Sequence, residues 1–359
     1  MNPSLFIAFV AKYFPNYVAS VSERLNGRSL TNQIPFLFSR LLTPQFTADS
    51  RWQAVSALYK GIAADVIALG SETPLKSRDK INTYTGELPK IGTKRSLNEV
   101  EMKNIDAMIA QNRPIAEIVN RIFSDVPFVI NAVDERLEDI FLSMFSTGKG
   151  VATNNVGAAV EFDMHFLAEN MRGCSLAFTN ASATPITDIQ QKIVDKAESD
   201  GQTIRFCYAD DTALRPMYTS SEVHNYFGLQ QRYSGTIPTL SFAQLRTLFD
   251  DIWGIELRRV ARTTHTEVNG KTTKHKAWKD GGITFACDEI VGDLVYTSTA
   301  EENRPVAGVA YQKANDYTLV SQFSEQEPLM EFTKSQAMAV PVINNVERIY
   351  TLDTKTPEV

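Results

Sequence analysis

Residues 62–96 pose a packing problem that their own side chains cannot solve. Ile62–Leu69 is a strand-like apolar run, and Leu88–Ser96 is a second extended run bounded by Gly86 and Pro89. Between them lies Ser71–Thr85, polar and charged, with Lys76, Arg78, Asp79 and Lys80 near its middle. This pattern predicts a long hairpin with a polar tip. An isolated two-stranded hairpin is marginal in water. One with so few apolar side chains needs a surface to lie on, in its own domain or on a neighbouring copy.

The flanking segments have different textures. Residues 1 to about 60 are punctuated by Pro3, Pro15, Pro35 and Pro44, and the apolar Phe36, Leu37 and Phe38 show no helical stripe. They read as an arm that packs along other surfaces, with a plain N-terminal subdomain as the alternative. After the hairpin, Ser96 and Glu99 match a capping box, and Met102, Ile105, Met108 and Ile109 share one helical face. A short helix is expected after Pro114, running to Phe123. The strongest helical pattern starts near Pro127. Val133, Leu137, Ile140, Phe141 and Met144 fall on one stripe, Asp134, Glu135, Glu138 and Asp139 on the other side, and Gly148 and Gly150 stop it.

Strands are expected at Val160–Phe166, Ile204–Tyr208, Ile283–Cys287, Leu294–Tyr296 and Ile349–Leu352. Thr184-Pro185 opens a helix carrying Ile186, Ile189, Ile193 and Ala197, which ends at Gly201. Ser241 and Gln244 cap another, which ends before Gly254. Asn269-Gly270, between Ile255–Val268 and Lys271–Trp278, is a type I′ hairpin signal. Helices and strands mix without regular βαβ alternation, so the fold class is α+β.

Composition narrows the function classes. A chain of 359 residues with 43% hydrophobic residues can bury a sizeable core. Its formal net charge of -6 argues against general phosphate binding, which needs clustered Lys and Arg. Three well-separated cysteines, Cys174, Cys207 and Cys287, point to a reducing compartment rather than a disulfide framework. The apolar Leu5–Val10 is broken by Lys12 and Pro15 and lacks a basic lead, which is poor for a secretory signal. No run reaches the ~20 apolar residues of a membrane span.

Catalytic signatures are weak. Ser146–Gly150 fails the phosphate-loop pattern, because Ser143 and Gly150 stand where Gly and Ser or Thr are required. Asp163 and His165, two apart on an expected strand, could imaginably take Cys174 as a third metal ligand. An alternating strand with one polar face explains them more simply. Asp210-Asp211 could pair with Asp250-Asp251 as a carboxylate site, but loop acids and a helix end account for them. Arg258, Arg259, Arg262, Lys271, Lys274, Lys276 and Lys279 cluster near the later hairpin, with Trp278 the lone aromatic among them. That is a weak nucleic-acid footprint. No catalytic, metal or cofactor residues are assigned.

The order of elements resembles a tailed-phage major capsid protein of the Hong Kong 97 fold. Ala63-Ala64-Asp65-Val66 to Gly86-Glu87-Leu88-Pro89-Lys90-Ile91-Gly92 looks like the extended loop and its return in the capsid protein E-like branch. Asp134–Gly148 looks like the spine helix, and Ala183–Ile189 like the segment opening the helix after a peripheral-domain strand. Asp280–Cys287 with Val291–Thr297 resembles late axial-domain strands. Glu327-Pro328 to Ala339-Val340-Pro341 resembles the closing stretch that returns to the peripheral domain.

The resemblance implies an N-terminal arm at 1–60, an extended loop at 61–97, a peripheral domain with the spine helix at 98–202 and 311–359, and an axial domain at 203–310. It implies a structural protein, not an enzyme, with no cofactor. Its copies would form hexamers and pentamers of an icosahedral shell around double-stranded phage DNA, without sequence-specific binding and without a membrane. Lys76, Arg78, Asp79 and Lys80 become the expected assembly contacts. Scaffold, portal and decoration proteins become expected partners, and the virion, assembled in the bacterial cytoplasm, the expected location. Some members cross-link a loop Lys to an Asn; Lys76 or Lys80 with Asn344 or Asn345 supply the types, but no cross-link is expected. Nor is cleavage of an N-terminal segment. The alternatives are a nanocompartment shell of the same fold, and an α+β hydrolase or metal enzyme using Asp163, His165 and Cys174.

Overall fold

The computed structural model describes residues 1–26, 36–57, 81–153, 159–231, 239–268 and 271–358. They divide into two compact units, each built from separated stretches of chain.

The first unit comprises Met1–Trp52, Gly86–Ile140 and Leu294–Pro341. Its N-terminal part is not a run of short pieces: Ile7–Asn26 is one 20-residue helix. Phe6, Val10, Phe14, Val18 and Val21 recur at helical spacing and are buried against Ile105, Ile118, Ile122, Phe123, Val126 and Ile130. Pro15 does not break the segment but lies inside this helix on its exposed side. There the carbonyl that loses its N–H partner can turn to water, which makes the proline tolerable.

The following helix, Glu99–Ala110, is capped by Asn98 and Glu101 rather than by Ser96 and Glu99. Ser96 is committed elsewhere: it sits in the strand Lys90–Leu97, opposite Phe332. A six-stranded sheet completes the unit. Its order is Leu42–Phe46, Gly292–Thr297, Leu329–Ile343, Leu319–Gln326 and Ala310–Lys313, with Lys90–Leu97 also pairing to the long strand Leu329–Ile343.

The helix Val126–Thr147 carries the expected apolar stripe, and Val133, Leu137, Ile140, Phe141 and Met144 are all buried. Each such side chain contributes about 1.5–3 kcal/mol of transfer free energy. The acidic face does not point to solvent. Asp134, Glu138 and Asp139 are buried too, because each meets a donor. Glu138 accepts from the Leu37 and Phe38 N–H groups at 2.9 and 3.0 Å, closing the start of the short helix Phe38–Leu41. Asp134 accepts from the Tyr317 hydroxyl at 2.8 Å, and Asp139 faces Arg136 at 3.4 Å. The helix ends where expected, with Gly148 at φ 76°.

The second unit comprises Gln53–Thr85, Phe141–Asp293 and Val342–Val359. Its five-stranded sheet runs Met171–Cys174, Ile349–Pro357, Gly282–Ala286, Phe206–Asp210, Glu256–Val260. Pairing is parallel at both edges and antiparallel in the middle. The helices Pro185–Ile189, Asp211–Met217, Ser221–Gln231 and Phe242–Trp253 bury Ile186, Ile189, Leu214, Val223, Leu245, Leu248 and Phe249 in a core with Cys207, Ile283, Phe285 and Tyr350. The Ser241–Gln244 capping box and the Gly254 turn at φ 67° form as expected. Thr264–Val268 and Lys271–His275 pair as a hairpin; its Asn269-Gly270 turn lies outside the described residues.

Candidate assembly surfaces

The arms expected for the extended hairpin, Ile62–Leu69 and Leu88–Ser96, are not the pair that the described residues form: Arg51–Ala57 pairs with Ile81–Glu87 in a two-stranded stem. Leu88–Ser96 is not its return arm, because Lys90–Leu97 instead joins the large sheet through eight register pairs, from Glu331↔Leu97 to Met338↔Lys90. Ile62–Leu69 lies outside the described residues, as do Lys76, Arg78, Asp79 and Lys80.

The stem is closed across its own base and stacks on a neighbouring loop further out. At its base, Trp52 is buried and packs over Gly86 so closely that a Cβ there would lie 2.6 Å from the indole nitrogen. The backbone is tied at the same level by Leu88 N–H donating to the Ser50 carbonyl at 2.9 Å. Further out, Tyr84 stacks on His165 with ring centroids 4.3 Å apart.

His165 is held for this by its own loop. The hairpin Lys149–Thr153/Ala159–Asp163 ends at Asp163, sooner than the Val160–Phe166 strand expected. His165 then turns to φ 52°, and its N–H donates to Asp163 Oδ1 at 2.8 Å. Asp163 also meets Lys149 Nζ at 3.1 Å. Burial pushes the Asp163 carboxyl up, but the His165 N–H and the Lys149 ammonium together hold it below its ordinary value. Asp163 and His165 therefore do not project from one strand face as metal ligands.

Cys174 is buried in an edge strand of the five-stranded sheet. Among the described residues, no group of three or more His, Cys, Asp or Glu could hold a metal ion. Burial raises all three thiols above their ordinary values, Cys287 to about 11. That is the reverse of what a nucleophilic cysteine needs.

The acids and cations of the second unit neutralise each other. Asp210 caps the Asp211–Met217 helix through the Ala213 N–H and pairs with Lys276 at 2.5 Å. Asp211 pairs with Arg259 at 2.5 Å. Both are thereby engaged away from any carboxylate site with Asp250 and Asp251, which lie in the last turn of Phe242–Trp253. Arg258 reaches Glu256 and Glu289, and Lys279 reaches Asp353. Arg258, Arg259, Lys276 and Lys279 of the basic cluster are thus each paired with an acid of the same chain.

Exposed apolar side chains are the remaining candidates. On the helix Ser221–Gln231, Tyr226 and Leu229 are three residues apart and 44% and 81% exposed. Val151 and Val160 are exposed on the Lys149 hairpin, and Phe46 lies exposed against the Tyr296 ring. Large apolar side chains in water favour contact with another surface. No helix among the described residues is long and apolar enough to cross a membrane.

No protein-family model and no curated protein sequence matches the chain. Solved structures do. A protein assigned as a prophage capsid protein from E. coli CFT073 aligns at TM-score 0.60 and 15% identity, covering 94% of this chain and 98% of that one. The fold is that of a phage capsid protein. A phage-related protein from Bordetella bronchiseptica RB50 aligns at TM-score 0.51 and 12% identity over 93% and 96% of the two chains. The capsid subunit of cyanophage A-1(L) aligns at 0.50 and 10% over 91% and 95%. The α+β class and the capsid resemblance read from the order of elements thus agree with the fold. At these identities the likeness carries the fold alone.

Proposed function

We propose that the chain is a major capsid protein whose copies assemble, as hexamers and pentamers, into an icosahedral shell around phage DNA. The observation that carries this reading is the agreement of fold over 94% of this chain and 98% of a protein assigned as a prophage capsid protein. The stem supports it: a two-stranded ribbon, closed at its base by Trp52 over Gly86 and stacked through Tyr84 on His165, carries residues 58–80 between its strands. In this reading Lys76, Arg78, Asp79 and Lys80 make contacts on a neighbouring copy. The role is structural rather than catalytic; scaffold, portal and decoration proteins are its partners, and the virion, assembled in the bacterial cytoplasm, is its location. DNA would be enclosed without being gripped, in keeping with a net charge of -6.

The test is to express the chain, alone and with any adjacent scaffold gene, and to examine it by size-exclusion chromatography and negative-stain microscopy. Rings or closed shells are expected. A stable monomer under both conditions would refute the proposal.

A further inference from the structure

The first six residues are stitched to the large sheet at several points. Asn2 and Ser324 exchange backbone hydrogen bonds of 2.9 and 3.1 Å. Ser324 Oγ donates to the Pro3 carbonyl at 2.6 Å, and Pro3 rests on Gly308, where a Cβ would come within 2.7 Å of its ring. The Leu5 N–H donates to Glu331 Oε2 at 2.9 Å. Ser4 and Phe6 are buried, and Ser4 Oγ accepts from the Phe6 N–H at 3.1 Å. Beyond the strap, residues 5–9 form one wall of a groove of about 560 Å³, whose other walls include Met102, Ile109 and Leu329.

Glu331, the acid that holds Leu5, is 1% exposed and has no cation paired with it among the described residues. It lies opposite Ser324 on one neighbouring strand and Leu97 on the other. Gln322, Thr333 and Ser335 continue the same face by alternation, buried and uncharged. By hydrogen-bond distance and angle, Glu331 Oε1 and both polar side-chain atoms of Gln322 have no partner, although the Gln322 amide lies close enough to the carboxyl to favour its ionised form.

Among the described residues, none of the charged side chains on the surrounding elements pairs with Glu331. Arg95 shares the face of Glu331, but its guanidinium lies 3.3 Å from the Phe128 ring centroid and meets Asp125. Lys94 lies over the Phe332 ring, and Lys334 pairs with Glu301. Glu325 pairs opposite Met330, on the other face. Lys12 of the N-terminal helix lies over Tyr13, and Glu101 accepts from Asn98. Lys103 and Asp106 line the groove. Residues 1–6 contribute no charged side chain, and their one charged group is the Met1 ammonium, which has no ion pair with Glu331.

We propose that residues 1–6 are a pH-sensitive strap, docked on the sheet while Glu331 is neutral and loosened when Glu331 ionises. A carboxylate sealed from water without a counter-charge is costly, so the docked state favours the neutral form. Burial accordingly raises the Glu331 carboxyl above its ordinary value, against the opposing Ser4, Leu5 N–H and Gln322 dipoles. For an acid whose value is raised on docking, the stabilisation is complete below its ordinary value. It is lost as pH rises through the raised one. Undocking would withdraw Leu5 and Phe6 from that wall of the groove, leaving residues 7–9, which belong to the N-terminal helix. The device is a property of the single chain and stands whether or not the shell reading holds.

Amide hydrogen exchange at Leu5 and Ser324 tests it in the full-length chain, from about pH 4 to about pH 8, a span bracketing ordinary and raised carboxyl values. After normalising for intrinsic exchange, wild-type protection at these amides should fall as pH rises, by up to about tenfold for each pH unit between the ordinary and the raised value. In Glu331→Gln the protection should be independent of pH and higher than wild type at neutrality. Ser324→Ala, which weakens the strap at a neutral contact, should lower protection by the same factor at every pH. A wild-type profile that is flat, a Glu331→Gln profile that falls like wild type, or loss of the pH dependence in Ser324→Ala would each overturn the proposal.

Discussion

The pair Asp210–Lys276 makes a quantitative test of how the second unit is held. Asp210 is 1% exposed and Lys276 is 36% exposed. Asp210 does three things: it caps the Asp211–Met217 helix through the Ala213 N–H at 3.0 Å, pairs with Lys276 at 2.5 Å, and accepts a long bond from the Gly281 N–H at 3.4 Å. Loss of the cap costs about 1 kcal/mol. Stranding the Gly281 N–H adds about 1 kcal/mol. The ionic term is discounted to about 0.5 kcal/mol, since Lys276 is partly solvated and keeps Asp280 and Thr212 as partners. Asp210→Ala should therefore destabilise by about 2–3 kcal/mol, and Asp210→Asn, which keeps an accepting oxygen, by about 1 kcal/mol. Lys276→Met is the revealing substitution. It removes the more exposed partner but leaves a buried carboxylate without its cation, so it should cost about 3 kcal/mol, as much as the alanine. Urea unfolding followed by circular dichroism gives these differences. If Lys276→Met changes stability by less than about 0.5 kcal/mol, the value of a surface pair, the reasoning about the buried charge is wrong.

Three further outcomes are expected. Glu222 accepts from the Ile186 and Thr187 N–H groups and the Thr187 hydroxyl, at 2.7, 3.2 and 2.5 Å, so it caps from a distance the helix that Pro185 opens; Glu222→Ala should cost about 1–2 kcal/mol in the same unfolding assay. Leu229→Asp should leave stability within about 0.5 kcal/mol but reduce assembly, read by size-exclusion chromatography, because its side chain is 81% exposed in the free subunit; unchanged assembly would remove this helix from the contact surface. Deletion of 71–85 takes away residues 71–80 and most of the Ile81–Glu87 stem strand, Tyr84 included, and should block shell formation while circular dichroism shows the rest of the chain folded; normal shells from this variant would remove the loop from its assigned role.

What can be read from the residues alone follows from how local each signal is. The Ser241–Gln244 box, Pro185 and the glycines at 148, 201 and 254 each depend on a few consecutive residues, and each forms where expected. The long strand Leu329–Ile343 is hidden because it is buried on both faces for most of its length, with Glu331, Thr333, Ser335 and Gln336 sealed alongside Phe332 and Val340. No polar-apolar alternation survives such a setting. The N-terminal helix shows a clean apolar period from Phe6 to Val21, but Pro15 masks it unless the proline is placed on the solvent side. The inward turn of Asp134 and Glu138 depends on the Tyr317 hydroxyl and the Leu37 and Phe38 amides. These partners lie 183, 101 and 100 positions away in sequence, which no spacing rule connects. The stem of the hairpin differs from expectation for a related reason: Lys90–Leu97 finds its partner in a strand that the sequence pattern conceals.

The central claim is that copies of this chain build a shell and that residues 58–80 of each lie across a neighbour. A cryo-electron microscopy reconstruction of the assembled particle tests it most directly. Closed icosahedral particles, with density for residues 58–80 continuing from the Arg51–Ala57/Ile81–Glu87 stem onto the adjacent subunit, are the predicted result. Particles in which that segment folds back on its own subunit, or the absence of any closed particle, would contradict the account.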